Sequence, residues 1–416
     1  MDQVDLIIVN ANELLTISGP RRPRVGKEMS KLGIVKNGSI AVNEGKIVGV
    51  GKTDNIKKKF RAEETIDANN KIVMPGFVDP HTHLIFAGSR EDEFILRLQG
   101  MSYLDILKKG GAILKTVRET RNASKKTLFD LTKKRLDKML KYGTTTIEIK
   151  SGYGLTTKDE IKLLEVIKEL NEKHHIDIVP TFMGAHAIPP ELDAEKYVDS
   201  IIHMLPKIAK RNLAEFCDVF CEEGVFSINQ SRRILEEAKK LGMKSKIHAD
   251  EIIRTGGAEL AAEINAVSAE HLLQSSQDGI RELSKANVIA VLLPVTSFCL
   301  RTNYADARFM IKQKVPVALA TDFNPGCMCS SMQFVINLVC LAMRMTPAEV
   351  ITASTINAAY SIDRGDEVGS LEVGKKADVL IMDVPNHKLI PQYFGVNLVK
   401  KVIKSGKIIL NSEYGV

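Results

Sequence analysis

Tryptophan is absent from the sequence, and Phe and Tyr bring the aromatic share to only 5%. So few rings make the stacking platforms on which single-stranded nucleic acids are held scarce. Cysteine is sparse as well. Cys217, Cys221, Cys299, Cys327, Cys329 and Cys340 are unevenly spaced and form no framework that would staple a secreted domain, which points to a reducing compartment. No apolar run approaches the ~18 residues of a membrane span, and Met1-Asp2-Gln3-Val4-Asp5 carries acids where a signal peptide needs basic charge. A soluble, cytoplasmic protein with no membrane partner is expected. Neither sign of charge dominates, since 58 Lys and Arg face 51 Asp and Glu for a net +7. The densest basic stretches are 57–61 and the group Lys133, Lys134, Arg135, Lys138 and Lys141. The second mixes with Leu at helical spacing and reads as a solvated helix face, so no nucleic-acid partner is expected.

What is present is an ordinary globular composition, 44% hydrophobic and 26% charged over 416 residues. That length suits two or three ordinary domains, or one α/β barrel of about 250 residues with a smaller companion. The texture of the chain favours the second. Short extended segments at 5–9, 39–42, 46–50 and 71–74 alternate with Asn37-Gly38 and Glu44-Gly45 turns. From Val78 to about Thr355 the pattern becomes short apolar runs alternating with amphipathic helical stretches. Strands are expected at 72–78, 144–149, 176–182, 217–222, 244–248, 266–271, 288–293 and 316–321, and eight such strands match a (β/α)8 barrel. Extended character returns at 377–384 and 398–409. The expected architecture is an α/β fold, a (β/α)8 TIM-like barrel over 76–364. A small β-sandwich domain is composed of 1–75 and 365–416.

Directly after the first barrel strand stands Asp79-Pro80-His81-Thr82-His83. Side chains at i and i+2 of an extended segment point the same way, about 6–7 Å apart at the backbone, so two imidazoles can converge on one cation. Partners stand at the ends of other expected strands: His186, His248, His271 and Asp322. In a (β/α)8 barrel these ends gather at one mouth, where active sites of this architecture sit. His174, His203 and His387 lie in or beside polar stretches and read as surface or packing residues. Three imidazoles and a carboxylate suit zinc or iron without any thiolate. Such a cation lowers the pKa of a bound water from about 15.7 toward about 7, on the order of 12 kcal/mol of easier deprotonation. Glu251, three residues past His248, is a candidate to take or relay that proton, and Asp250 competes with it. Glu251 could also serve only as an acid at the start of a helix. Cys327-Met328-Cys329 reads as two reduced loop cysteines rather than a soft metal site.

These motifs resemble the amidohydrolase superfamily. Pro75-Gly76-Phe77-Val78-Asp79-Pro80-His81-Thr82-His83 is similar to its opening signature, and Gly374-Lys375-Lys376-Ala377-Asp378-Val379 to its closing motif. Within it, four further stretches resemble the imidazolonepropionase family. They are Glu148-Ile149-Lys150-Ser151-Gly152-Tyr153-Gly154-Leu155, His248-Ala249-Asp250-Glu251, Gly256-Gly257-Ala258-Glu259-Leu260-Ala261 and Thr321-Asp322-Phe323-Asn324-Pro325-Gly326. The resemblance covers essentially the whole chain. It implies a hydrolase that opens 4-imidazolone-5-propanoate to N-formimidoyl-L-glutamate in histidine degradation, with one zinc or iron ion per subunit and a homodimeric assembly. Position by position it implies His81, His83, His248 and Asp322 as metal ligands, and Arg90, Tyr153 and His186 as substrate-binding residues. Glu251 and His271 would stand beside the reacting carbonyl, and Asn324, Gly326 and Cys327 would form a loop at the substrate. Cys327 occupies a position where the family commonly has a small hydroxyl residue, so a backbone contact is expected there.

The chemistry of that substrate agrees with these roles. A propionate calls for a bidentate Arg clamp, and a cyclic amide for a cation that polarises its carbonyl. Hydroxide generated at the cation would attack the ring carbonyl while Glu251 accepts or shuttles its proton. His271 would help stabilise the oxyanion, Asp322 would assist proton transfer to the leaving nitrogen, and Tyr153 and His186 would orient the ring. Binuclear members of the superfamily bridge two metals with a modified Lys on the fourth strand. Cys217-Asp218-Val219-Phe220-Cys221-Glu222 has none, so a single metal is expected, and Lys150 reads as a structural residue. The competing readings are another hydrolase of the superfamily, such as a cyclic-base deaminase, and a non-catalytic scaffold of the same fold.

Overall fold

Runs rich in Val, Ile and Thr form strands, and the amphipathic stretches between them form helices, in the computed structural model, which describes residues 1–101, 105–106 and 109–411. The N-terminal part supplies β1 (Asp2–Leu15), β2 (Ile34–Asn43), β3 (Lys46–Lys52), β4 (Phe60–Asp67) and β5 (Ile72–Pro75). Eight strands follow: β6 (Phe77–Asp79), β7 (Thr144–Lys150), β8 (Asp177–Ala185), β9 (Phe216–Cys221), β10 (Lys244–Ala249), β11 (Ser268–His271), β12 (Ile289–Leu292) and β13 (Val317–Leu319). The C-terminal part adds β14 (Val379–Met382), β15 (Val399–Lys404) and β16 (Lys407–Asn411).

Each of β6 to β13 pairs in parallel with its sequence neighbour. Between the first and last of them the seam is held just past the strand ends. There Thr82 bridges Phe323, His83 N donates to Phe323 O at 2.9 Å, and Asp322 N donates to His81 O at 3.2 Å. The segments carrying His81, His83 and Asp322 therefore position one another. All seven residues of β7 are buried, as expected of a parallel strand covered on both faces. The helix Ile228–Lys240 is typical of the outer ring: Ser227 and Gln230 close a capping box, while Ile234, Leu235 and Ala238 face inward.

The remaining strands form one sheet in the order β16-β15-β14-β5-β1-β2-β3, with β4 on β1. Both ends of the chain thus build the β-rich companion of the barrel. Its core gathers Leu6, Ile8, Leu14, Ile40, Val42, Val379, Ile381 and Ile403. An ionic tie joins the two sheets, with Asp177 of β8 lying 2.8 Å from Lys404 and 3.1 Å from Lys376.

Three details depart from the sequence reading. The expected strand at 72–78 is two strands in different sheets, β5 in the companion and β6 in the barrel, parted at Gly76. The segment 60–67 is a strand although it alternates poorly, because parallel pairing to β1 supplies its hydrogen bonds while Arg61, Glu63 and Glu64 remain outside the core. Arg135 is not part of a solvated face: its guanidinium lies 3.5 Å from the centre of the Phe86 ring and donates to Leu84 O and Phe86 O, each at 2.8 Å. It fixes the segment that follows the two histidines. His174 and His387 are packing residues, paired with Asp137 at 3.1 Å and Glu13 at 2.8 Å. Among the described residues no helix is long and apolar enough to cross a membrane.

Candidate active site

Past the end of β6, His81 and His83 turn their Nε2 atoms to within 3.3 Å of each other. His248 in β10 brings its Nε2 to 3.3 Å from that of His83. Asp322, just past β13, places Oδ1 at 3.5 Å from His81 Nε2 and 3.6 Å from His83 Nε2. All four side chains are buried, and Asp322 Oδ1 has no hydrogen-bond partner. A tetrahedral centre with bonds of about 2.0–2.1 Å has ligand-to-ligand edges of about 3.3–3.4 Å. The four distances fall near that spacing, and His81, His83 and Asp322 gather as one candidate cation site with an unpartnered carboxylate oxygen turned to two imidazole nitrogens, while His248 approaches from the His83 side. His271 extends the cluster, offering a nitrogen that groups with His81 and His248.

Electrostatics agree with this fit. Burial and the charges of neighbouring imidazoles hold His83 well below the usual histidine range; burial does the same for His271, and burial with His248 brings His186 down to about 3. These rings are neutral at neutral pH, the form in which imidazole binds a metal. His81 is the exception: burial opposes its charge, but the Glu270 carboxylate holds it up at about 9. Burial would raise Asp322, yet contact with His81 keeps it below the usual carboxylate range. Thr296 donates its hydroxyl to Asp322 Oδ2, which turns Oδ1 toward the imidazoles.

The two adjacent acids separate cleanly. Asp250, with φ +52, accepts at Oδ1 from the backbone N–H groups of Thr255, Gly256 and Gly257 and from the Thr255 hydroxyl. Its Oδ2 accepts from Ala258 N and Ser275 Oγ. That carboxylate is saturated as the organiser of its loop. Glu251 instead lines the cavity, with Oε2 3.5 Å from His271 Nε2. No helix begins at Glu251, since residues 250–256 form a loop before the helix Gly257–Glu263. Burial, with the charges of Asp322 and Glu222, pushes the Glu251 carboxyl up to about 8. Glu222 fixes this loop by accepting from Ile252 N at 2.8 Å and Ile253 N at 3.3 Å.

A cavity of about 400 Å³ opens above the cluster, and Arg90, Tyr153, His186, Glu251, His271, Asn324, Gly326 and Cys327 all line it with His83, His248 and Asp322. His81 lies beneath, outside the lining. Arg90 is buried, donates from Nε to Thr116 Oγ1 at 2.8 Å and leaves Nη2 without a partner. A buried guanidinium with a free donor calls for an anion. His186 stacks on His83 at 4.6 Å between ring centres, and its Nδ1 lies 3.1 Å from Gly152 O. Tyr153 is 5.1 Å from His186 by the same measure. Asn324 folds its own loop, with Oδ1 accepting from Gly326 N at 2.8 Å and Nδ2 donating to Asp322 O at 2.8 Å. The backbone contact expected at Cys327 meets an N–H already donated to Asn324 O at 3.0 Å. Its thiol pairs with that of Cys299, which is drawn down to about 7, and all six cysteines are free.

Sequence reasoning passed over several residues that matter here. Thr296, Thr116, Glu222, Asp218 and Glu270 touch or orient the site, and Arg97 also lines the cavity. Asp218 and Glu270 lie inside strands, where an acid among apolar neighbours was a signal. Thr296 follows β12, and nothing local marks it.

The amidohydrolase family profile matches residues 72–409. The chain is 54% identical to an imidazolonepropionase of Alkaliphilus oremlandii over 98% of both chains. It is 52% identical to one from Geobacillus kaustophilus, again over 98% of both, and 48% identical to one from Clostridium tetani over the full length of each. In fold it is similar to a zinc-bound adenosine deaminase of Xanthomonas campestris, with a TM-score of 0.76 at 18% identity over 99% of this chain and 94% of that one. It is also similar to a 5-methylcytosine deaminase of Klebsiella pneumoniae, with a TM-score of 0.75 at 15% identity over 99% of both.

Proposed function

The chain belongs to the amidohydrolase family, and from that premise we propose that it is a metal-dependent hydrolase of cyclic amides with imidazolonepropionase activity. It opens 4-imidazolone-5-propanoate to N-formimidoyl-L-glutamate, a step of histidine degradation. The observation that carries the reading is one cavity with a histidine–aspartate cluster suited to a metal at its base and a buried, unsatisfied arginine in its wall. A free base has no carboxylate to satisfy Arg90, whereas a propionate does.

His81, His83, His248 and Asp322 would hold one zinc or iron ion. Bound there, the metal supplies a Lewis acid that lowers the pKa of water and polarises a carbonyl. Arg90 takes the propionate through its free Nη2. Tyr153 and His186 flank the ring and set its angle. Glu251, which lines the cavity with its carboxylate turned to His271, takes the proton of the attacking water and passes it onward. His271 faces the developing negative charge on the carbonyl oxygen, and Asp322 helps deliver a proton to the leaving ring nitrogen. The 324–327 loop closes the wall with Asn324, Gly326 and Cys327. Catalysis belongs to a barrel over 76–364, with 1–75 and 365–416 as its β domain. The working form is a cytoplasmic homodimer.

The test is turnover of purified zinc- or iron-loaded protein with imidazolonepropionate, guanine and cytosine, before and after chelation. Formation of formimidoylglutamate that is lost on chelation supports the assignment. Deamination of a base with no ring opening of imidazolonepropionate overturns it.

A further inference from the structure

Under the histidine cluster the barrel interior holds Glu148, Lys150, Asp218, Lys246 and Glu270, all with no exposed surface. Lys150 Nζ lies 2.7 Å from Glu148 Oε1, 2.7 Å from Asp218 Oδ2 and 3.1 Å from Glu270 Oε2. Lys246 Nζ lies 2.9 Å from the other oxygen, Glu270 Oε1. A fully buried ionic cluster is a poor device for stability, because desolvation offsets its attractions. What the cluster touches gives it a purpose. Asp218 Oδ1 lies 3.1 Å from His248 Nδ1, and Glu270 Oε2 lies against His81 Nδ1.

We propose that Asp218, held by Lys150, is a positioning residue for the metal centre: it accepts Nδ1–H of His248 and so fixes the tautomer and ring direction that leave Nε2 free for the cation. Glu270, held between Lys150 and Lys246, orients His81 from the same side. Both oxygens of Asp218 are committed, one to an ammonium and one to an imidazole, so the carboxylate cannot turn. This rests on the proposed metal site.

The two are tested apart. Zinc alone is titrated into metal-free protein against a competing chelator, and histidine tautomers are read from long-range ¹H–¹⁵N spectra. In Asp218→Asn the amide must direct its oxygen to Lys150, which turns its NH₂ toward His248 and favours the Nε2–H tautomer. We expect zinc binding about 10–100-fold weaker in this variant. We also expect an Nδ1–H signal for His248 in the metal-free wild type, replaced by Nε2–H in the variant. Zinc bound within twofold of wild type by folded Asp218→Asn, or an Nε2–H tautomer in the wild type, overturns the proposal. Should the variant not fold, the wild-type tautomer decides alone. Wild-type protein that binds no zinc or iron overturns the metal site itself.

Discussion

Asp250 and Glu251 are neighbours of one chemical type, and the backbone gives them different work. A positive φ at Asp250 turns its carboxylate into a ring of loop donors, leaving Glu251 to face His271 and the cavity. Glu251→Gln should therefore lower kcat by about 10²–10⁴-fold, the usual contribution of a general base, with bound metal unchanged. Initial rates alongside elemental analysis check this, and a variant of near-normal kcat would remove Glu251 from the mechanism. Arg90 offers a fork anchored at one prong by Thr116 and free at another. Lysine supplies charge but no fork. Arg90→Lys should raise KM about 10–100-fold, the worth of a charged hydrogen bond of about 1.5–3 kcal/mol, with a smaller change in kcat. The five histidines and Asp322 were legible as candidates because strand-end placement is a local property. The choice between Asp250 and Glu251 was not, since one positive φ decides it.

Element boundaries depend on close contacts that pattern reading does not resolve. The apolar run 72–78 reads as one strand, yet the chain changes sheet at Gly76, where a Cβ would lie 2.1 Å from Thr145 Oγ1 and 2.5 Å from its Cγ2. Gly76→Ala should destabilise the protein by about 1–3 kcal/mol, seen as a lower denaturation midpoint at unchanged m-value. Adding Thr145→Gly should recover part of that loss, and additive losses would locate the strain elsewhere. At the barrel seam, Asp79 Oδ1 accepts from Thr321 N at 3.1 Å and Oδ2 from Thr321 Oγ1 at 2.6 Å. Burial pushes this carboxyl from 3.8 up to about 7. Between those two values the unfolded chain has released a proton that the native protein keeps, so this group makes stability fall as pH rises. Asp79→Asn can still accept from Thr321 N, and it should flatten that slope in urea melts taken across the window. An unchanged slope would assign the pH dependence to other groups.

At the scale of the whole molecule, metal, barrel and companion sheet stabilise one another. Ligands that bind only the folded state stabilise it by mass action, about 4 kcal/mol at a thousandfold excess over Kd. Chelation should therefore lower the melting temperature as well as abolish turnover, and zinc or iron should restore both. Unchanged melting with retained turnover would exclude a resident metal. The sequence by itself determined the number and order of the barrel strands, the return of both ends to β structure and the residues at the strand ends. Periodicity and i, i+2 geometry are set within a few residues. Only the tertiary structure decided which polar groups meet. His248 finds Asp218 across 30 positions, and Asp322 finds Thr296 across 26. Such pairs depend on register across parallel strands and on closure of the barrel. These are fixed jointly by packing of the whole core, and no local stretch of sequence records them.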